Sequence, residues 1–304
     1  MRVFRVYTPV HDLIHAHDWM AYSAGINAKK ISGKPLVCHI HATEFDRTGG
    51  NPNHHISHRE YEGLNAADLI IANSEFTKQN VVKHYAINPE KIKVVHWGID
   101  SENPHYNMDY RNKLSDHDKV VLFLGRVTLQ KGPDYFIQTA KKVLDYAPDT
   151  KFVMAGTGDM LPRMIEKSAE LGISHRMLFT GFLEGKDVHK AFQMADLYVM
   201  PSVAEPFGIV ALESIKNGTP ILISKQSGVS EVVTNALKTD FWDTDEMANK
   251  IVASLKYEDM YGELKSNVTR EASKFNLDTP AKKTIEAYNQ VLNNYQFLQN
   301  PGWA

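Results

Sequence analysis

The stretch "LYVMPSVAEPFGIVALESIKNG" (197–218) decides how the chain folds. Its first residues form a short, β-rich apolar run, the pattern of a strand buried on both faces. "PSVAEP" ends that strand, Pro206 suits the first turn of a helix, and "FGIVALESIKNG" reads as a helix closed by Gly218. A buried strand that turns at once into a helix is the repeating unit of a parallel sheet with helices on its faces.

The same alternation extends in both directions. Upstream in the second half lie "VVLFLGRV" (120–127), "KFVMAGTG" (151–158) and "MLFTGF" (177–182), and downstream "PILISK" (220–225), with helical patterns between them. The first half reads the same way, with strands "LIHAH" (13–17), "PLVCHIHA" (35–42), "DLIIANS" (68–74) and "KIKVVHW" (91–97). Residues 98–119 are polar and broken by Gly98 and Pro104, as an interdomain linker would be. From about 245 to 296 the pattern is wholly helical. The expected organisation is therefore α/β with two Rossmann-like parallel-sheet domains. They comprise a first domain (1–98), a linker (99–119), a second domain (120–285), and a carboxy-terminal helix and tail (286–304).

Bulk properties exclude more than they assign. A chain of 304 residues, 43% hydrophobic, is long enough to bury a core in each of two domains. With 34 basic and 36 acidic residues the formal charge is −2, so no global field favours nucleic acid or an anionic membrane. The single cysteine, Cys38, sits in an apolar run and reads as a small buried hydrophobe, which also removes a disulfide framework. "MRVFRVYTPV" followed by "HDLIHAHD" is not a signal-peptide pattern, and no apolar run approaches the roughly 20 residues of a membrane span, so a cytoplasmic location is expected.

In doubly wound sheets ligands bind at the carboxyl ends of the strands. Those positions hold "GRVTLQKG", "GTGD", "GFLEGK" and "PSVAEPFG". Gly125 with Gly132, Gly156 with Gly158, and Gly208 would let backbone amides approach an anion, with Arg126 and Lys131 supplying positive charge. The plainer alternative is that each glycine only turns the chain. The helix after Glu205 would point its amino terminus at a phosphate, and six residues from Phe207 to Glu213 span about 9 Å of helix. One carboxylate would then precede the phosphates and the other would lie about a ribose beyond; a capping acid plus a solvated glutamate is the alternative.

"EPFGIVALE" resembles the E-x7-E motif of retaining glycosyltransferases of the two-Rossmann, type B architecture, the family that includes glycogen synthases and sucrose synthases. "FLGRVTLQKG", "FVMAGTGDM", "FTGFLEGKDV", "ADLYVMPSVAEPFG" and "GTPILISKQSGVSEVV" follow that family's donor domain in order. "VHWGID" resembles its interdomain boundary, and "HIHATEFDR" the segment carrying its active-site histidine. The resemblance runs from about 12 to 290 and implies sugar transfer from a nucleotide diphosphate sugar to a hydroxyl acceptor with retained anomeric configuration. Arg126 and Lys131 would hold the diphosphate and His41 would contact the sugar near the reacting carbon. Glu205 would bind the sugar hydroxyls, and Phe207, Gly208 and Ile209 would hold sugar and phosphate. Glu213 would take the ribose, Gly125 and Gly156 would line the phosphates, and Phe182 and Leu183 would line the base pocket. The family works without a bound metal, and UDP, ADP and GDP donors are all compatible with the resemblance.

Family members open with a glycine-rich loop and several strand–helix units before the segment resembling "HDLIHAHDW", whereas this chain starts almost there. An amino-terminally truncated first domain is therefore expected. A catalytically impaired module that binds a nucleotide sugar, or a subunit needing a partner chain, is the reading of a different class. A bare edge at "DLIHAHD" would favour a homo-oligomer or a separate amino-terminal subunit, unless "MRVFRVYTPV" folds back as a substitute strand. Three further clusters have plainer readings. His54 and His58 at i and i+4 suit a metal if helical, but a polar loop explains them. In "HAHDW", His15 and His17 share a strand face toward a covering helix or the cleft. Lys29, Lys30 and Lys34 are a candidate contact for phospholipid, against a solvated helix end.

Overall fold

The computed structural model describes residues 11–100 and 119–299. "MRVFRVYTPV" and nearly all of the expected linker 99–119 lie outside the described residues. The chain divides into two compact units, residues 1–97 with 278–304 and residues 98–277.

In the first unit four strands, β1 (Ile14–His17), β2 (Leu36–Ile40), β3 (Leu69–Ala72) and β4 (Ile92–Val94), pair in parallel in that order. Helices α1 (Asp18–Ser32), α2 (Glu44–Arg47), α3 (His54–Ala66) and α4 (Glu75–Tyr85) connect them. The local signals are legible: Asn53 caps α3, Ser74 caps α4, and Gly33 ends α1 in a left-handed conformation. Every residue of β2 and β3 is buried, as strands covered on both faces require. One face packs Ala16, Cys38, Ile40, Ile70 and Ala72 against Tyr22, Leu64 and Val81. Burial there pushes the Cys38 thiol up to about 12, so it is an inert packing group.

The second unit is a six-stranded parallel sheet of β5 (Val120–Leu124), β6 (Lys151–Ala155), β7 (Met177–Gly181), β8 (Leu197–Met200), β9 (Ile221–Ser224) and β10 (Leu237–Thr239). Its spatial order is β10-β9-β8-β5-β6-β7. β10 is short and half-polar, too weak a pattern to stand out in the sequence. Helices α5 (Pro133–Leu144), α6 (Leu161–Glu170), α7 (Lys186–Met194), α8 (Ile209–Lys216), α9 (Thr244–Lys256) and α10 (Glu258–Glu271) surround it. Phe136, Ile137 and Ala140 of α5 and Met247 and Ile251 of α9 pack on Val121, Phe123, Phe152, Leu197 and Val199. Strand order reverses between β5 and β8, which makes the carboxyl ends of these two strands the topological switch point of the sheet.

Helix α8 begins at Ile209, not at Pro206 or Phe207 as the proline had suggested. Gly208 precedes it at φ 106°, a left-handed conformation that postpones the first helical turn. The last helix, α11 (Asp278–Gln299), starts before the expected residue 286. It packs Ala287 and Val291 against Val37, Leu69, Ile71 and Val95, covering the second face of the four-stranded sheet.

Candidate functional site

In the second unit the loops after β5 and β8 meet at the switch point. Lys131 Nζ donates to Glu205 Oε2 at 2.5 Å, and Ser202 Oγ donates to the same oxygen at 3.1 Å. Glu205 is only 6% exposed, so its charge is balanced by Lys131 rather than by water. Gln130, also buried, ties the two loops together: its Nε2 donates to the Ala204 carbonyl at 3.0 Å and its own carbonyl accepts from the Val203 amide at 2.9 Å. Arg126, exposed, donates to Gln130 Oε1 at 3.3 Å. Sequence reading missed Gln130 and Ser202, whose only signal is a polar residue beside the charged ones.

Glu205 is held from the other side by the backbone. Its amide donates to the Gln226 carbonyl at 3.0 Å, and its carbonyl accepts from the Gly228 amide at 2.9 Å. Phe207 is buried and its carbonyl accepts from the Val229 amide at 2.7 Å. Gly208 is closely enclosed: a Cβ there would lie 3.0 Å from Met200 Cε and 3.2 Å from Glu205 Cγ. Four residues beyond Ile209, Glu213 is half-buried, and that burial raises its pKa against the opposing pull of His189 and Lys216. Tyr198 is fully buried, and its hydroxyl donates to the Leu124 carbonyl at 3.2 Å. Burial first, then Glu205 and Glu213, push its ionisation well up.

The glycines separate into two kinds. A Cβ on Gly156 would meet the Gly125 carbonyl oxygen at 1.8 Å, so Gly156 exists to let two strand-end loops touch. Gly158 and Gly132 do the same against Val127 and Pro201. Around Gly125 itself nothing lies within 4 Å of a Cβ position, leaving open space over that backbone. Phe182 is exposed, and Leu183 lines an apolar groove of about 510 Å³ that runs along β5, β6 and β7 to Val120 and Lys151 at their other ends.

In the first unit His41 follows β2. Its amide donates to Asp18 Oδ1 at 2.9 Å, its carbonyl accepts from Asn73 Nδ2 at 2.8 Å, and its ring lies 5.0 Å from that of Trp97. Burial lowers its pKa, with Asp18 opposing and His17 and Arg47 reinforcing that shift. Asp18 sits at φ 56°, a strained conformation for a non-glycine that the His41 contact helps hold. The loop after His41 is locked by a buried network absent from the sequence reading. Arg47 Nη1 donates to Glu60 Oε1 at 2.8 Å and to Glu44 Oε2 at 3.2 Å, Arg47 Nη2 to the Ala42 carbonyl at 2.7 Å, and Tyr85 to Glu60. His54 and His58 do fall on a helix, α3, but both are exposed and His58 pairs with Glu62 at 3.5 Å.

Residues 108–272 match the family described as Glycosyl transferases group 1, and residues 9–103 match Glycosyltransferase Family 4. An uncharacterized glycosyltransferase of Methanocaldococcus jannaschii is 32% identical over 294 residues, 91% of this chain and 75% of that protein. A D-inositol 3-phosphate glycosyltransferase of Rhodococcus jostii is 26% identical, covering 96% and 69% of the two chains. Among solved structures, Anabaena HepE in complex with UDP and glucose superposes with a TM-score of 0.78 at 25% identity, over 92% of this chain and 78% of that one. Sucrose-phosphate synthase of Thermosynechococcus elongatus shares the fold, with a TM-score of 0.80 at 19% identity over 93% and 74%.

Proposed function

The chain belongs to the glycosyl transferases group 1 family, and from that premise we propose that it transfers a hexose from a nucleotide diphosphate sugar, UDP-linked, to a hydroxyl acceptor with retained anomeric configuration. The observation that carries this reading is the contact of Lys131 with Glu205 at the switch point of the second sheet. A diphosphate arriving over the open backbone of Gly125 offers Lys131 and Arg126 a second anion, and their charge offsets what develops on the leaving group. Glu205 then accepts from sugar hydroxyls, while Glu213 accepts two hydrogen bonds from the vicinal diol of the ribose. UDP is chosen because the HepE neighbour is held in complex with UDP and glucose. A carboxylate already engaged by Lys131 and Ser202 is a weakened nucleophile. The reaction is therefore written as same-face substitution, in which the leaving phosphate takes the acceptor's proton, rather than a double displacement through Glu205.

The test is turnover with a panel of UDP-, ADP- and GDP-sugars and acceptors, reading the anomeric configuration of the product by NMR. Transfer with retention from a UDP-hexose is expected. Binding of UDP without turnover of any donor would leave a nucleotide-sugar-binding module instead, and an inverted product would refute retention.

A further inference from the structure

We propose that His15, His17 and His39, all in the first unit, form a binding site for one divalent transition-metal ion of the zinc type. The strands build it. β1 and β2 are parallel with His17 opposite His39 and His15 opposite Val37, so alternate residues put the imidazoles of 15, 17 and 39 on one sheet face. The intervening Ala16 and Cys38 turn to the opposite, apolar core. Ring centroids lie 4.2 Å apart for His15 and His17, 5.1 Å for His17 and His39, and 5.6 Å for His15 and His39. One ligand nitrogen from each lies within 4.8 Å of the other two. Nitrogens about 2.0–2.1 Å from a tetrahedral metal are separated by roughly 3.4 Å, so modest rotation of these stacked rings closes the site.

Two further observations point to a ligand. The Nε2 atoms of His15 and His39 are buried and have no hydrogen-bond partner, and two such orphans on one face call for an explanation that a shared metal supplies. His15 Nδ1 lies 2.6 Å from the Tyr288 hydroxyl on α11, an outer contact that directs the Nε2 lone pair inward and sets the ring's orientation. The donor set decides the metal: three imidazoles with no carboxylate or thiolate suit zinc, cobalt, nickel or copper and not magnesium or calcium. Three protein ligands also leave a fourth coordination position open. His17 is itself held by His41, whose Nε2 is 3.0 Å from His17 Nδ1.

The experiment is titration of chelator-stripped full-length protein with Zn²⁺ by calorimetry and with Co²⁺ by visible absorption. One ion per chain is expected, with cobalt giving ligand-field bands of imidazole coordination. His39→Gln and His17→Gln should each weaken binding by more than Tyr288→Phe, which should cost about 10–100-fold as a loss of outer-contact orientation. His58→Gln, altering an exposed histidine on α3, should change nothing. Because His39 is buried and its variant is prone to misfolding, the exposed His17 carries the test if circular dichroism shows that His39→Gln is unfolded. Absence of a one-to-one ion in wild type, or binding that survives His17→Gln, overturns the site; loss on His58→Gln instead assigns the ion to the surface and also overturns it.

Discussion

Lys131 and Glu205 stand 74 positions apart in the chain and 2.5 Å apart in space, a pairing produced by β5 and β8 lying side by side in the sheet. If Lys131 holds the donor diphosphate, Lys131→Ala should weaken UDP binding by about 1.5–3 kcal/mol, the worth of a hydrogen bond to a charged group, and calorimetry reads this directly. Unchanged affinity would remove the assignment. Glu213 yields a pH prediction. Its folded pKa is raised above the ordinary 4.5, so the folded state favours the protonated carboxyl. That contribution is fully present below the ordinary value and is lost as pH rises through the folded value. Glu213→Gln should therefore raise the melting temperature at pH 7.5, and its advantage should vanish at pH 4. An equal gain at both would mean the carboxylate is not desolvated.

The elements bearing these residues depend on close backbone approaches that no periodicity reports. Gly156→Ala forces a methyl into the Gly125 carbonyl at the ends of β6 and β5, and should cost about 1–3 kcal/mol of stability in urea unfolding. Gly125→Ala meets no heavy atom near its Cβ but must take a φ of 156° that side chains rarely adopt, so it should cost less stability than Gly156→Ala while also weakening ligand binding. If the two variants destabilise equally, the distinction between the two glycines is wrong. In the first unit the loop from His41 to α2 is held by Arg47 against Glu60, which is wholly buried. Arg47→Ala leaves that carboxylate without its cation and should destabilise by about 3–5 kcal/mol. A loss below 1 kcal/mol in the same urea titration would show that Tyr85 and the Glu44 amide suffice to hold Glu60.

At the scale of the whole molecule the final helix belongs to the first unit although it follows the second in sequence. Val37, Leu69, Ile71 and Val95 face α11 with Ala287 and Val291, and re-exposing each buried aliphatic side chain costs about 1.5–3 kcal/mol. A chain ended after Leu277 should therefore lose protection from hydrogen exchange across β1–β4, while β5–β10 keep theirs within their own helices. Unaltered exchange in β2 and β3 would show that the helix is dispensable.

Strand and helix types, the two parallel sheets and the loops bearing charge were legible in the sequence, because apolar periodicity and Gly and Pro punctuation are local properties of consecutive residues. "EPFGIVALE" disclosed both its acids and its helix, missing only that Gly208 delays the first turn. Contacts between residues far apart were not legible, since they depend on which strands become neighbours. The Lys131–Glu205 pair and the histidine face of β1 and β2 exist because parallel pairing brings separate segments side by side, and the Arg47–Glu60 contact because α2 packs on α3. A chain-local pattern assigns a residue to a face, but only packing chooses the partner across it, because burial and distance are properties of the folded whole.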